Sequence, residues 1–109
     1  MATKADLVID QGTTFSTDLT LADQNGNKVA LAGYTASSQI RKWYTSLEPS
    51  AVFATNINAN TATITLQLTA DATSQLDSGR YVYDVEITDG STVSRIVEGI
   101  VTVTPQVTR

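Results

Sequence analysis

Cysteine and histidine are both absent from this 109-residue chain. Without cysteine there is no disulfide, no thiolate nucleophile and no Cys-ligated zinc. Without histidine the commonest general base and the commonest metal ligand are gone as well. Together these absences set aside most hydrolase and metalloenzyme chemistries. Basic residues are scarce too: seven Lys and Arg stand against eleven Asp and Glu, a formal charge of −4. Lys4, Lys28, Arg41, Lys42, Arg80, Arg95 and Arg109 are dispersed, with only Arg41 and Lys42 adjacent. Such a field repels phosphate backbones, so no nucleic-acid partner is expected. Nor does any apolar run approach bilayer-crossing length, so no membrane partner is expected. The opening Met-Ala-Thr-Lys-Ala-Asp lacks the apolar core of a signal peptide. The expectation is a complete small open reading frame made in a cytoplasm, a compartment that suits a cysteine-free chain.

What is present is β-forming. Threonine is the commonest residue and valine is spread throughout, a composition that favours strands. The length fits a single domain over residues 1–109, able to bury a core without a metal or disulfide staple. Asp6 to Asp10 reads as a first strand, and Phe15, Thr17, Leu19 and Leu21 alternate with polar neighbours in a second. Asp23-Gln24-Asn25-Gly26-Asn27 reads as a tight hairpin, with Lys28 to Leu31 pairing back. Tyr34 to Tyr44 reads as one longer strand, Val52 to Ile57 and Ala62 to Leu68 as two more. Between the last of these and the next strand, Thr69 is placed to cap one or two helical turns over Ala70 to Leu76. Asp89-Gly90 reads as a hairpin, and the final strand runs from about Thr92 to Thr104, with Gly99 as the expected bulge.

The segment Leu76 to Ile87 carries the sharpest pattern. A turn of Asp77, Ser78 and Gly79 leads into a strand with Tyr81, Tyr83, Val85 and Ile87 on one face. Arg80, Val82, Asp84 and Glu86 fall on the other. This resembles the corner of an immunoglobulin-like sandwich, where a tyrosine hydroxyl ties back to nearby backbone. The predicted fold is an all-β, immunoglobulin-like antiparallel sandwich of seven to eight strands with one short helical turn. Asp77, Gly79, Tyr81, Trp43 and Gly99 are expected to determine it. Trp43 is read as a core tryptophan, which turns its neighbour Tyr44 outward as a surface contact.

Candidate sites are few. Asp23, Asn25 and Asn27 alternate like calcium ligands, but position 34 is Tyr where the loop needs a bidentate acid. The hairpin reading is preferred, and no metal or other cofactor is expected. Asp84 and Glu86 share a strand face, yet glycosidase chemistry needs two carboxyls across a cleft. A cross-strand pair with Arg95 explains them better. No constellation points to catalysis, so the chain is read as a non-enzyme.

Three stretches together suggest a family: Leu7 to Phe15 (LVIDQGTTF), Asp23 to Tyr34 followed by Gln39-Ile40-Arg41-Lys42, and Gly79 to Asp89 followed by Val97 to Pro105. They resemble the immunoglobulin-like domain at the N-terminus of baseplate upper proteins of tailed phages, and small virion proteins of marine and cyanobacterial phages. The resemblance covers nearly the whole chain and is carried by turns and core positions. It implies a structural component of a tailed-phage virion, a head decoration or cement subunit or a part of neck, tail or baseplate. Its partners would be other virion proteins, met in many copies on a symmetric particle where weak contacts multiply. It would be made in the host cytoplasm and reside in the virion. In larger relatives fibre-like segments follow such a domain; here the chain ends at Arg109, which favours a stand-alone component. The expected contacts are Tyr44 and the tail Pro105, Gln106, Val107, Thr108 and Arg109, with the arm Met1 to Ala5 able to add to a neighbour's sheet. The alternative is a carbohydrate- or receptor-binding module stacking ligand on Tyr44, Tyr34 or Phe53.

Overall fold

A computed structural model describes residues 3–21, 26 and 30–107. Among them are nine strands and one helix: β1 (Thr3–Lys4), β2 (Leu7–Asp10), β3 (Phe15–Thr20), β4 (Thr35–Arg41), β5 (Ala51–Val52), β6 (Ala54–Asn58), β7 (Thr63–Leu68), α1 (Ala70–Ser74), β8 (Gly79–Thr88) and β9 (Val93–Thr104). They form two sheets. The larger has the order β1-β9-β8-β4-β5, with β2 also beside β9; the smaller is β3-β7-β6. The predicted all-β sandwich is therefore what the chain adopts. Most pairs are antiparallel, but β1 and β2 both run parallel to β9, a pairing that strand periodicity does not reveal. The hairpin placed at Asp23–Asn27 and the return through Lys28–Val29 lie outside the described residues, apart from Gly26 at φ +82°.

Alternation drives the packing. Tyr81, Tyr83, Val85 and Ile87 of β8 are buried, as are Ile64, Leu66 and Leu68 of β7 and Val97, Val101 and Val103 of β9. Ile9, Leu31, Ile40, Phe53 and Leu76 complete the layer between the sheets. Leu31 reaches it from a turn rather than a strand: the backbone N–H of Tyr34 donates to its carbonyl at 3.1 Å. With no disulfide across the layer, the two sheets are held by packing, with Thr55 Oγ1 of β6 donating to Ala36 O of β4 at 2.9 Å.

Several expected boundaries move. The stretch read as one strand from Val52 to Ile57 is split at Phe53. Ala51–Val52 pairs with β4 in the large sheet, whereas Ala54–Asn58 pairs with β7 in the small one. Phe53 is buried at the crossing, its ring 6.0 Å from Phe15 and 6.2 Å from Tyr83. The helix starts where Thr69 predicts, its hydroxyl accepting from the Ala72 N–H at 3.2 Å. It ends at Ser74, and Thr73 fastens it to the β2–β3 turn by accepting from Gly12 N and donating to Thr13 O.

The bulge is not at Gly99. Gly99 stays in register opposite Tyr83, and the extra residue is Ile96, because Val85 pairs with Val97 while Glu86 pairs with Arg95. The insertion flips the strand's parity, which is why Val93 is exposed while Val97 is buried. Gly99 has a different task. A Cβ there would lie 2.1 Å from the carbonyl oxygen of Ala5 and 2.8 Å from its carbon. That carbonyl passes over the glycine to accept a hydrogen bond from the Tyr83 hydroxyl. Asp6 then lends a carboxylate oxygen to Ile100 N at 3.0 Å, bridging the break between β1 and β2.

Candidate functional site

The corner that opens β8 is built from its own turn. The Tyr81 hydroxyl donates to Asp77 O at 2.7 Å, and Gly79 takes φ +139°, a left-handed value open to glycine. Lys42 reaches over from the end of β4, with Nζ 4.7 Å from the Tyr81 ring centre and 2.9 Å from Arg80 O. Burial, then the Asp77 charge, raise the Tyr81 pKa. Tyr83 is pushed up to about 12 by burial and then by the Asp6 charge. Both shifts favour the neutral phenol in the folded chain. Their contribution is present below the ordinary value of 10.0 and is lost as pH rises through the folded values. Stability is therefore expected to fall between about pH 10 and about pH 12, read as a dropping urea midpoint. Tyr83→Phe should flatten that fall, and a midpoint level across this range would contradict it.

Trp43 is not in the core. It is 65% exposed and Tyr44 is 74% exposed, because β4 ends at Arg41 and the chain turns at once. The turn is fixed by Ser46, whose hydroxyl accepts from Trp43 N at 2.9 Å while its own N–H donates to Trp43 O at 3.1 Å. Arg41 Nη1 closes the loop by donating to Ser46 O at 2.8 Å. A short polar side chain has offered the backbone an alternative to the ladder. Both aromatics, together with Leu47 at 96% exposure, thus stand out from a braced loop.

The outer faces of the two sheets differ in kind. The small sheet presents Ser16, Asp18 and Thr20 beside Thr63, Thr65 and Gln67, then Ala54, Asn56 and Asn58. Its threonine hydroxyls bond across strands, Thr65 Oγ1 to Asp18 Oδ1 at 2.7 Å and Thr20 Oγ1 with Thr63 Oγ1 at 3.3 Å. The large sheet presents Val82 and Ile100 beside charged residues, with Val52 and Val8 on its edge strands. Ile100 is opposite Val82, which is opposite Arg41; one rung along, Glu98, Asp84, Gln39 and Val52 follow across the strands. Val8 lies on the same face, opposite Thr102. Arg95 Nε pairs with Asp84 Oδ2 at 3.2 Å and its Nη1 with Glu98 Oε2 at 3.4 Å. The register neighbour of Arg95 is Glu86, yet the ion pair goes to Asp84, since the Ile96 insertion re-aims the side chain.

Tyr44 stands over the middle of this face. It borders an open depression of about 320 Å³ lined with Gln39, Arg41, Val82, Asp84, Glu86 and Arg95. It also borders a second of about 270 Å³ lined by Lys4, Asp6, Glu98, Gly99 and Ile100. Both depressions are lined mainly by polar and charged side chains, with Val82 and Ile100 as the aliphatic members beside Tyr44. Among the described residues no group of three or more acidic side chains is placed to hold a metal ion, and every buried side-chain polar atom has a hydrogen-bond partner.

The other expected contacts fare differently. Thr3 and Lys4 pair with β9 and form an edge strand of their own sheet. Gln106 is held: its N–H donates to Gln11 Oε1 at 3.0 Å and its side chain lies over Gly12, while Pro105 is exposed. Val107, 91% exposed, leaves the body; Met1, Ala2, Thr108 and Arg109 lie outside the described residues. The stacking platform does not assemble, since Phe53 is buried and Tyr34 and Tyr44 flank opposite ends of β4.

No family model matches the chain, and no curated protein does. Among solved structures it is similar to Listeria monocytogenes InlP, at 19% identity and a TM-score of 0.50 over 94% of this chain and 28% of that one. It is also similar to red sea bream transglutaminase, at 16% identity and a TM-score of 0.57 over 90% of this chain and 15% of that one. The chain thus spans less than a third of either protein, and at these identities the likeness is one of fold.

Proposed function

We propose that this chain is a non-enzymatic structural component of a tailed-phage virion that works through repeated protein–protein contacts. The phage setting rests on the resemblance in the turn and core segments described above. The mode of action rests on one observation, the contrast between the two outer faces. One carries hydroxyls that bond across its strands, Thr65 to Asp18 and Thr20 to Thr63; the other sets Tyr44 beside Val82 and Ile100 among charged residues, with Val52 and Val8 on the edge strands. A domain of this size offers a modest patch, and repetition on a symmetric particle turns such a patch into firm attachment. A tagged copy produced in infected cells is expected to co-sediment with purified particles. Tyr44→Asp should lower that recovery by about tenfold or more, because it places a charge in the contact centre. Absence of the wild-type chain from particles would refute the proposal.

A second reading, attachment to a glycan, draws on the exposure of Trp43 and Tyr44. The adjacent Leu47, more exposed than either, is an aliphatic group suited to a protein pocket and offers no stacking surface. Binding of the isolated domain to a glycan array would favour the glycan reading over the contact proposed here.

A further inference from the structure

We infer that the open edge of β3 receives an extended strand from a neighbouring protein, one with alternating apolar side chains and a basic residue opposite Asp18. This edge belongs to the small sheet and stands independently of the contact proposed around Tyr44. In sandwiches of the immunoglobulin type the first strand borders the second and makes that sheet four-stranded. Here β1 and β2 both pair with β9, and the small sheet ends at β3. Its other border strand is tied to the large sheet: Thr55 Oγ1 of β6 donates to Ala36 O at 2.9 Å, and the adjoining Phe53 N–H to Ser38 O at 3.0 Å.

Register fixes which backbone groups face the open edge. Leu21 N donates to Ala62 O at 2.8 Å, so the hydrogen-bonded pairs with β7 fall at Leu19, Thr17 and Phe15. The N–H and C=O groups of Ser16, Asp18 and Thr20 therefore point away from β7, and none has a backbone partner among the described residues. The side chains agree, because non-hydrogen-bonded pairs bring them closest: Thr20 meets Thr63, and Thr65 meets Asp18. Nothing blunts this edge. β3 runs six residues in unbroken register, with no lysine, proline or bulge, the usual guards of an exposed strand.

Two rows of side chains define the occupant. Phe15, Thr17 and Leu19 face the core yet are only half-buried, whereas Ile64, Leu66 and Leu68 beside them on β7 are buried. Apolar side chains on an added strand would cover that flank. The outer row, Ser16, Asp18 and Thr20, carries a single charge. Asp18 Oδ1 holds Thr65 Oγ1 at 2.7 Å, and the carboxylate can accept a further donor, which a lysine or arginine across the rung supplies. A basic strand also meets the field of a chain whose formal charge is −4. A second copy of β3 suits the edge poorly. With both cores on one side, an inverted β3 in its fullest registers sets Asp18 against Asp18 or diagonal to it, like charges either way. Main-chain bonds thus supply the attachment and alternate side chains the selectivity, as in other strand additions.

Amide exchange of the full chain, followed by NMR with and without the end-capped peptide Thr-Val-Lys-Val-Thr-Val, tests this. In the free chain Ser16, Asp18 and Thr20 should exchange at least about tenfold faster than Thr17 and Leu19, whose N–H groups donate to β7. The peptide should bind with a Kd of about 1 mM or tighter and slow those three amides. The same peptide with Glu in place of Lys should bind about fivefold more weakly, and Asp18→Lys should reverse that order. Ser16→Pro removes an outward donor and no bond to β7, so it should abolish binding while circular dichroism shows the sandwich intact. Should that variant unfold, the reversal at Asp18 decides. Protection of Ser16, Asp18 and Thr20 in the free chain would show the edge already covered and overturn the inference. Peptide binding that ignores both Asp18→Lys and Ser16→Pro would overturn it too, as would no binding at about 10 mM. Self-association of the chain that the peptide competes away would assign the edge to a second copy instead. None of these outcomes bears on whether the chain joins particles, which co-sedimentation decides.

Discussion

Gly99→Val is expected to detach the N-terminal strands and lower folding stability by about 3 kcal/mol. The Cβ would stand 2.1 Å from the Ala5 carbonyl oxygen, and what it meets is backbone rather than a side chain that could swing away. To admit it, residues 5–6 must leave β9. That movement breaks the Tyr83–Ala5 and Asp6–Ile100 hydrogen bonds and leaves the Tyr83 hydroxyl facing the core without its acceptor. Against a total stability of about 5–15 kcal/mol for a domain, the loss is large. Hydrogen exchange should show it first in the amides of Leu7 to Asp10, with a lower denaturant midpoint to match. Unchanged protection of those amides would show that Gly99 does not seat the strand.

Leu66→Ala is expected to cost about 3 kcal/mol. Leu66 is fully buried at the centre of β7, the middle strand of the small sheet, between Thr17 on one side and Thr55 on the other. In a sandwich with a disulfide, a cavity there would weaken one of two fastenings between the sheets. Here the packed layer is the main one, supplemented by the Thr55–Ala36 hydrogen bond, so the loss falls on the whole domain. A change at the exposed position of the same strand, Gln67→Ala, should cost far less, since it opens no cavity. Equal midpoints for the two variants would contradict this account of the core.

How far these positions could be read from the chain depends on whether their cause is local. The corner at Tyr81 is local: a turn of Asp77, Ser78 and Gly79 followed by strict alternation contains the whole signal. So is the Thr69 cap. Trp43 is misread because the aromatic pair extends an alternating run, while the Ser46 bonds that end it come from side-chain competition with the ladder. The bulge has a local trace in the adjacent apolar pair Ile96–Val97, but glycine at 99 is the more familiar breaker. Gly99 itself answers to Ala5, far away in sequence, and so do the parallel strands at the N-terminus. Strand periodicity says which face is buried and nothing about which strand lies alongside. The proposed contact face is likewise assembled from β2, β4, β5, β8 and β9, so the pairing of Val82 with Ile100 exists only after registers are known. Tyr44 could be named in advance as an outward aromatic, but the hollows beside it could not.

The central claim is that one face of this sandwich is made to be covered by protein on a phage particle. Hydroxyl-radical footprinting of purified particles, set against the free domain, tests that claim most directly. Tyr44 should be protected in the particle, together with Val82 and Ile100, while Ala54 and Gln67 on the polar face keep the reactivity they have in the free domain. Tyr44 equally reactive in both states, or protection confined to the polar face, would contradict it.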